Sequence, residues 1–133
     1  MRVLALDYGS ARCGCAVSDP TGVLATPLDP VPAPGTRRGH GRLRALVGEL
    51  GVERVVVGLP LSLSGQDSAQ TRETRDFAAS LAARLPVPLE LYDERFTTRL
   101  AARTPGRASE DSRAAAHLLE SYLASRTPAE VEP

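Results

Sequence analysis

The strongest indication of the fold is the stretch Val3-Leu4-Ala5-Leu6-Asp7-Tyr8-Gly9-Ser10, in which an unbroken apolar run ends in an aspartate and a glycine turn. An apolar run without polar alternation is typical of a strand that is buried on both faces of a sheet. Asp7 then stands at the carboxyl end of that strand, where open α/β sheets build their sites. Aspartate and glycine are also ordinary turn residues, so Asp7 alone leaves a simple turn as an alternative.

The rest of the chain alternates short strands and amphipathic helices. The predicted strands cover residues 2–7, 14–18, 23–26, 54–59 and 87–92. A loop is predicted from Pro27 to Gly41. Three helices are predicted after it: one that ends near Gly51, one that covers about residues 69–85, and one that runs from residue 109 or 110 to 124. Turn signals join the first three strands into an antiparallel meander, while the buried fourth strand favours a parallel pairing with the first. Pro88 suits an edge strand. The chain is therefore predicted to be an α/β protein, with a mixed five-stranded sheet flanked by helices.

Size and composition favour one cytoplasmic domain. The 133 residues suffice for one core. We expect residues 1–126 to form the domain and 127–133 to form an acidic flexible tail. No apolar run is long enough to span a membrane, and the N-terminus lacks a signal-peptide pattern.

The net charge of the chain and the local grouping of its arginines lead to different expectations about nucleic-acid binding. Sixteen arginines, with no lysine, balance sixteen acidic residues, which argues against bulk binding of nucleic acid but not against a local basic surface. Two arginine groups fit such a surface, although each could be only a solvated face: Arg37, Arg38, Arg42 and Arg44, and then Arg95, Arg99, Arg103 and Arg107. Arginine suits bidentate phosphate contacts.

Acidic residues recur at the ends of predicted elements. Asp7 ends the first strand, Asp93-Glu94 ends the fifth, and Asp111 begins the last helix on the face of Ala115, Leu118 and Tyr122. A first-turn aspartate often only caps a helix, but its place on the apolar face weakens that interpretation. Gathered carboxylates repel one another unless a cation joins them, and Mg²⁺ or Mn²⁺ prefers oxygen ligands. The residues alone therefore indicate a metal-dependent phosphoryl-transfer site.

Four local patterns, in order, resemble the motifs of one family. They are Asp7-Tyr8-Gly9-Ser10-Ala11-Arg12 with Gly14, Gly58-Leu59-Pro60-Leu61, Asp93-Glu94-Arg95-Phe96-Thr97-Thr98, and Asp111-Ser112-Arg113-Ala114-Ala115. The chain is similar in these to the YqgF family, also called RuvX: RuvC-like nucleases of the ribonuclease H fold. Its members are described as pre-16S ribosomal RNA nucleases and as Holliday junction resolvase-like proteins.

The resemblance implies a hydrolase, a divalent-metal endonuclease that cleaves structured RNA or branched DNA. It makes Asp7, Glu94 and Asp111 the catalytic metal ligands for Mg²⁺ or Mn²⁺, with Asp93 a weaker candidate for the third place. By the same match, Arg12 and Arg95 would hold substrate phosphates or buttress the acidic residues, and Gly9 and Gly14 would allow close backbone approach. Arg37, Arg38 and Arg42 are weaker candidates for substrate grip, and a junction-resolving enzyme would be a homodimer because it makes two cuts.

The sequence also departs from the family pattern at several positions, and two alternative functions are considered. Ser10-Ala11 stands where Thr-Lys is usual, Ser62 replaces a common Asn, and residues 98–110 form a shorter segment. These changes bear on substrate preference more than on reaction type. An actin-like ATPase shares the first motif but needs a duplicated unit for which the chain has no room. A non-catalytic RNA-binding ribosome-assembly factor on the same fold is the second alternative, and the retained acids argue against it.

Overall fold

A computed structural model describes residues 1–62, 64–94 and 110–131 of the chain, the last five by their backbone alone. Within these residues, eight elements follow one another in the order βββαβαβα. Their bounds are β1 Val3–Asp7, β2 Arg12–Ser18, β3 Ala25–Pro32, α1 Arg37–Glu49, β4 Arg54–Leu59, α2 Ala69–Ala82, β5 Leu89–Asp93 and α3 Glu110–Val131. The order of elements is the one that the sequence predicts.

The five strands form one mixed sheet in the spatial order β3-β2-β1-β4-β5. β1 pairs antiparallel with β2, and β2 pairs antiparallel with β3. β1 pairs parallel with β4, and β4 pairs parallel with β5. The predicted meander followed by parallel strands is thereby confirmed, and so is the place of β5 at an edge.

The region between β2 and α1 differs from the prediction of a long loop. β3 extends to Pro32, and Pro27 and Pro32 sit opposite Ala16 and Arg12 of β2. Because β3 is an edge strand, a proline whose missing N–H would have faced solvent costs no ladder hydrogen bond. α1 then begins at Arg37, where the Thr36 side chain accepts a hydrogen bond of 3.1 Å from the Gly39 amide.

The sheet is covered on both faces, which explains the apolar run in β1. Leu4 and Leu6 pack with α1 and α2 in a cluster that includes Leu43 and Phe77. Val3 and Ala5 point to the other face and pack with α3. Since side chains alternate along a strand, Asp7 continues the series of Val3 and Ala5 toward the α3 face.

α3 is held across the sheet by a polar network at its middle. The Tyr122 hydroxyl donates to Glu90 Oε1 at 2.5 Å, and Arg54 Nη1 donates to the same oxygen at 2.7 Å. The rings of Tyr92 and Tyr122 meet edge to face with centroids 5.6 Å apart. The helix runs on to Val131, beyond the predicted end at Ala124. Neither α3 nor another helix in the described ranges is long and apolar enough to cross a membrane.

Candidate active site

The carboxyl ends of the parallel strands bring three acidic residues to one edge of the sheet. Asp7 ends β1, and Glu94 follows the last residue of β5. The neighbouring strands present glycines at this level: Gly14 pairs with Asp7, and Gly58 follows Val57, the partner of Leu6. Asp111, in the first turn of α3, lies above the same edge. The topology thus gathers side chains that are far apart in the sequence.

Strand alternation separates Glu94 from Asp93. Glu90 and Tyr92 of β5 face α3, because Glu90 bonds Tyr122 and Tyr92 packs against its ring. Glu94 continues that series, whereas Asp93 belongs to the opposite one. The side chain of Glu94 lies directly over Gly58, since a Cβ atom built there would be 2.5 Å from Glu94 Oε1. A side chain at position 58 would collide with the Glu94 side chain and turn it away from Asp7.

Asp7 and Glu94 are hydrogen-bonded through their carboxyl groups. Burial raises the pKa of Asp7, and the charge of Asp111 raises it further. Burial, the charge of Asp7 and this hydrogen bond raise the pKa of Glu94 to about 7. Two carboxyl groups bond in this way only when one of them holds a proton. The pair therefore shares one proton near neutral pH when no cation is present.

Asp111 reaches the site because α3 lies against the glycine of β2. A Cβ atom at Gly14 would overlap the backbone carbonyl of Asp111, so a larger residue cannot stand there without moving the helix. Ser112 fixes the same turn, since its buried hydroxyl accepts a hydrogen bond of 3.4 Å from the Cys15 amide. Gly14 thus allows the close approach of a backbone, and that backbone is the first turn of α3.

Arg12 stands at the rim of the acidic group. Its Nη1 lies 3.9 Å from Asp111 Oδ2, and its side chain is 62% exposed. An ion pair of this length between exposed side chains is weak. The guanidinium is therefore able to turn toward a phosphate placed beside the carboxylates.

The three side chains fit a hard divalent cation by their chemistry. All are carboxylates, and burial together with repulsion from neighbouring carboxylates raises the pKa of Asp7 and Glu94. Within residues 1–62, 64–94 and 110–131, no group of three His, Cys, Asp or Glu side chains is placed to hold a metal ion as the structure stands.

The remaining predicted site residues fall into three places. Arg37, Arg38 and Arg42 are exposed on α1, which covers the opposite face of the sheet from Asp111. Gly9 lies in the turn between β1 and β2, where a Cβ atom would be 2.8 Å from the Arg12 carbonyl oxygen. Arg95 lies outside the described residues. Sequence reasoning missed the role of Gly58, although a glycine inside an apolar strand signals close approach by another group.

Comparison with known proteins identifies relatives over nearly the whole chain. Residues 1–125 match the model of the RuvX family, described as Holliday junction resolvase. A Streptomyces coelicolor protein named "Putative pre-16S rRNA nuclease" is 42% identical over 93% of this chain and 80% of its own length. A Koribacter versatilis protein of the same name is 43% identical over 73% of this chain, a match that spans 63% of the relative.

A solved structure shows the same fold. Thermus thermophilus RuvC in complex with a Holliday junction substrate superposes with a TM-score of 0.66, over 96% of each chain, at 15% identity. The sheet and helices described above are therefore those of a ribonuclease H-like protein, as predicted. The names of the relatives support a nuclease role. On the match of residues 1–125, the chain belongs to the RuvX family.

Proposed function

We propose that this protein is a divalent-metal-dependent endonuclease that hydrolyses phosphodiester bonds in structured nucleic acid in the cytoplasm. The observation that carries the proposal is the hydrogen-bonded pair of Asp7 and Glu94 with Asp111 beside it. Buried carboxylates of like charge are costly to hold together, and a bound cation removes that cost. Their place at the carboxyl ends of parallel strands is where α/β sheets bind their substrates.

Asp7, Glu94 and Asp111 would hold Mg²⁺ or Mn²⁺. A divalent ion at this place supplies an activated water and stabilises the charge on the leaving oxygen of a phosphodiester. Arg12 at the rim binds a neighbouring phosphate and positions the scissile group, since its side chain is exposed and only weakly paired. Gly58 keeps the path of Glu94 open, and Gly14 keeps α3 close enough for Asp111 to take part.

Precursor 16S ribosomal RNA is the substrate that we propose first. The curated relatives carry that substrate in their names at about 40% identity. We therefore infer a part in maturation of the 5′ end of this RNA, in ribosome biogenesis. A four-way DNA junction is the second candidate, favoured by the family description and by the RuvC fold. Junction resolution would require a homodimer with two active sites.

A cleavage assay tests the proposal on both substrates. Wild-type protein and Asp7→Asn are incubated with precursor ribosomal RNA and with a four-way junction, in Mg²⁺, in Mn²⁺ and in EDTA. We expect metal-dependent cleavage by the wild type, no cleavage by Asp7→Asn, and similar substrate binding by both. Undiminished cleavage by Asp7→Asn would refute the assigned site. Tight RNA binding by folded wild-type protein without any cleavage would instead support the non-catalytic assembly factor.

A further inference from the structure

A groove with a cationic rim lies between β3 and α1, apart from the acidic site. Its volume is about 480 Å³, within the range of pockets for small ligands and too small for a duplex. The apolar part of its lining, here called the floor, is formed by Val31, Pro32, Ala33 and Gly39. Thr36, Arg38 and Arg42 complete the lining.

The floor of the groove is held rigidly. A Cβ atom at Gly39 would overlap the Ala33 carbonyl and lie 2.6 Å from Pro34 Cα, so α1 touches the preceding turn backbone to backbone. Ala33 has a φ of 44°, a left-handed conformation that is rare without glycine. Its amide donates to the Ala11 carbonyl at 2.9 Å, and its carbonyl accepts from the Thr36 hydroxyl at 2.7 Å. The groove is therefore preformed, which lowers the entropic cost of binding.

The two arginines at the rim are available to a ligand. The ion pair between Arg42 Nη1 and Glu49 Oε1 is long, at 4.0 Å, and both side chains are more than half exposed. Arg38 is exposed and forms no ion pair within the described part of the chain. The first turn of α1 contains no acidic side chain, so the positive end of the helix dipole adds to the charge of Arg38, which lies in that turn. This surface is complementary to a phosphate beside an apolar group.

The register of β2 and β3 places the groove near the acidic site. Pro32, in the floor, pairs with Arg12 of β2, and Arg12 lies 3.9 Å from Asp111. Since neighbouring strands are about 4.8 Å apart, the line of β3 is about 10 Å from the line of β1. Since α1 covers the opposite face of the sheet from Asp111, a nucleic-acid strand that leaves the carboxylates over Arg12 would reach the groove by passing around the end of β2 and β3.

We propose that this groove is a nucleotide subsite, which takes one unstacked nucleotide of the substrate strand. Its base or sugar lies against the apolar floor, and its phosphate lies between Arg38 and Arg42. The inference rests on the proposed nucleic-acid substrate but not on cleavage. It explains how a protein of zero net charge with few aromatic residues grips a structured substrate: one nucleotide outside a helix is bound locally, rather than a long duplex by bulk charge.

The test measures binding without catalysis. A ten-nucleotide single-stranded RNA and a free mononucleotide are titrated in EDTA into wild type, Arg38→Gln and Arg42→Gln. Arg44→Gln is the matched control, because it removes the same charge from the same helix at a position that does not line the groove. We expect Arg38→Gln and Arg42→Gln each to weaken RNA binding about tenfold, the effect of losing one charge-assisted contact, and Arg44→Gln to change it much less.

The outcomes separate the subsite from general electrostatics and from the nuclease proposal. Mononucleotide binding that depends on Arg38 and Arg42 would show that the groove recognises a nucleotide by itself. The same dependence for the RNA alone would show that the strand delivers it, which also supports the subsite. Equal losses in all three variants, or no loss in any of them, would overturn the proposed subsite. Because the binding titrations are made in EDTA and require no metal, a failed cleavage assay would not change their result.

Discussion

The carboxyl groups of Asp7 and Glu94 are hydrogen-bonded to each other, although β4 lies between the strands that they end. The side chain of Glu94 spans that gap by crossing over Gly58, where no side chain stands in its way. A glycine on the middle strand is therefore as much a part of the acidic site as the residues that it brings together.

Replacing Gly58 should disturb the site more than the fold. In Gly58→Ala, the new methyl group meets the end of the flexible Glu94 side chain, so Glu94 shifts and the protein loses at most about 1–2 kcal/mol of stability. We expect metal affinity and cleavage to fall about 10–100-fold, as for changes that misorient a ligand. Calorimetric metal titration and urea unfolding measure the two effects separately.

Gly41→Ala is the matched control for that variant. Gly41 lies in α1, and a Cβ atom there meets nothing within 4 Å. Alanine is the better helix former, so this change should add about 0.5–1 kcal/mol of stability without altering metal binding. Equal metal affinity in Gly58→Ala and Gly41→Ala would contradict the role given to Gly58.

Sequence reasoning correctly predicted the strands that contain continuous apolar runs and missed what depends on neighbours. β1 and β4 were evident because both of their faces are buried. The extension of β3 through Pro27 and Pro32 was missed, because proline is tolerated there only by virtue of the edge position, which is a property of the whole sheet. The role of Gly58 was likewise missed: a glycine inside an apolar run signals close approach by another group, but only the register of β4 with β1 places it beside Asp7.

Glu94 and Asp93 should differ sharply as ligands. Glu94 lies on the α3 side of β5 with Asp7, and Asp93 belongs to the alternate series. We expect Glu94→Gln to reduce cleavage at least about 100-fold, more than the loss of a supporting residue costs, and Asp93→Asn to leave most activity. A steady-state cleavage assay compares them. The reverse order of activities would assign the third ligand to Asp93.

The metal-free protein should lose stability as the pH rises through neutrality. The pKa of Glu94 is raised to about 7 from an unfolded value of 4.5, so the folded state holds more protons than the unfolded state between these values. The free energy of unfolding therefore falls with rising pH across this window. Urea unfolding in EDTA at pH 5 and pH 8 measures the fall.

Two comparisons check the origin of that pH dependence. Glu94→Gln cannot release the proton, so its stability should change less over the same range. Saturating Mg²⁺ should restore the wild type at pH 8, because the ion replaces the proton between the carboxylates. If wild type and Glu94→Gln show the same slope in EDTA, Glu94 does not hold the proton.

Loss of the tyrosine hydrogen bonds that hold α3 against the sheet should lower stability without reducing cleavage. Tyr122→Phe removes the hydroxyl that donates to Glu90, and the loss of this charge-assisted bond should cost about 1–2 kcal/mol. Tyr92→Phe removes a neutral bond to Ser121 Oγ and should cost about 1 kcal/mol or less. Thermal unfolding ranks the two variants, and both should retain cleavage. A larger loss of stability in Tyr92→Phe would contradict this ranking.

Mn²⁺ binding followed by electron paramagnetic resonance measures whether the three carboxylates form a metal site, because it reports occupancy without requiring a substrate. We expect wild type and Asp93→Asn to bind Mn²⁺ with similar affinity, and Asp7→Asn and Asp111→Asn to bind it far more weakly while remaining folded. Unchanged Mn²⁺ affinity in Asp7→Asn would contradict the claim that the edge of the sheet formed by Asp7, Glu94 and Asp111 is the metal site.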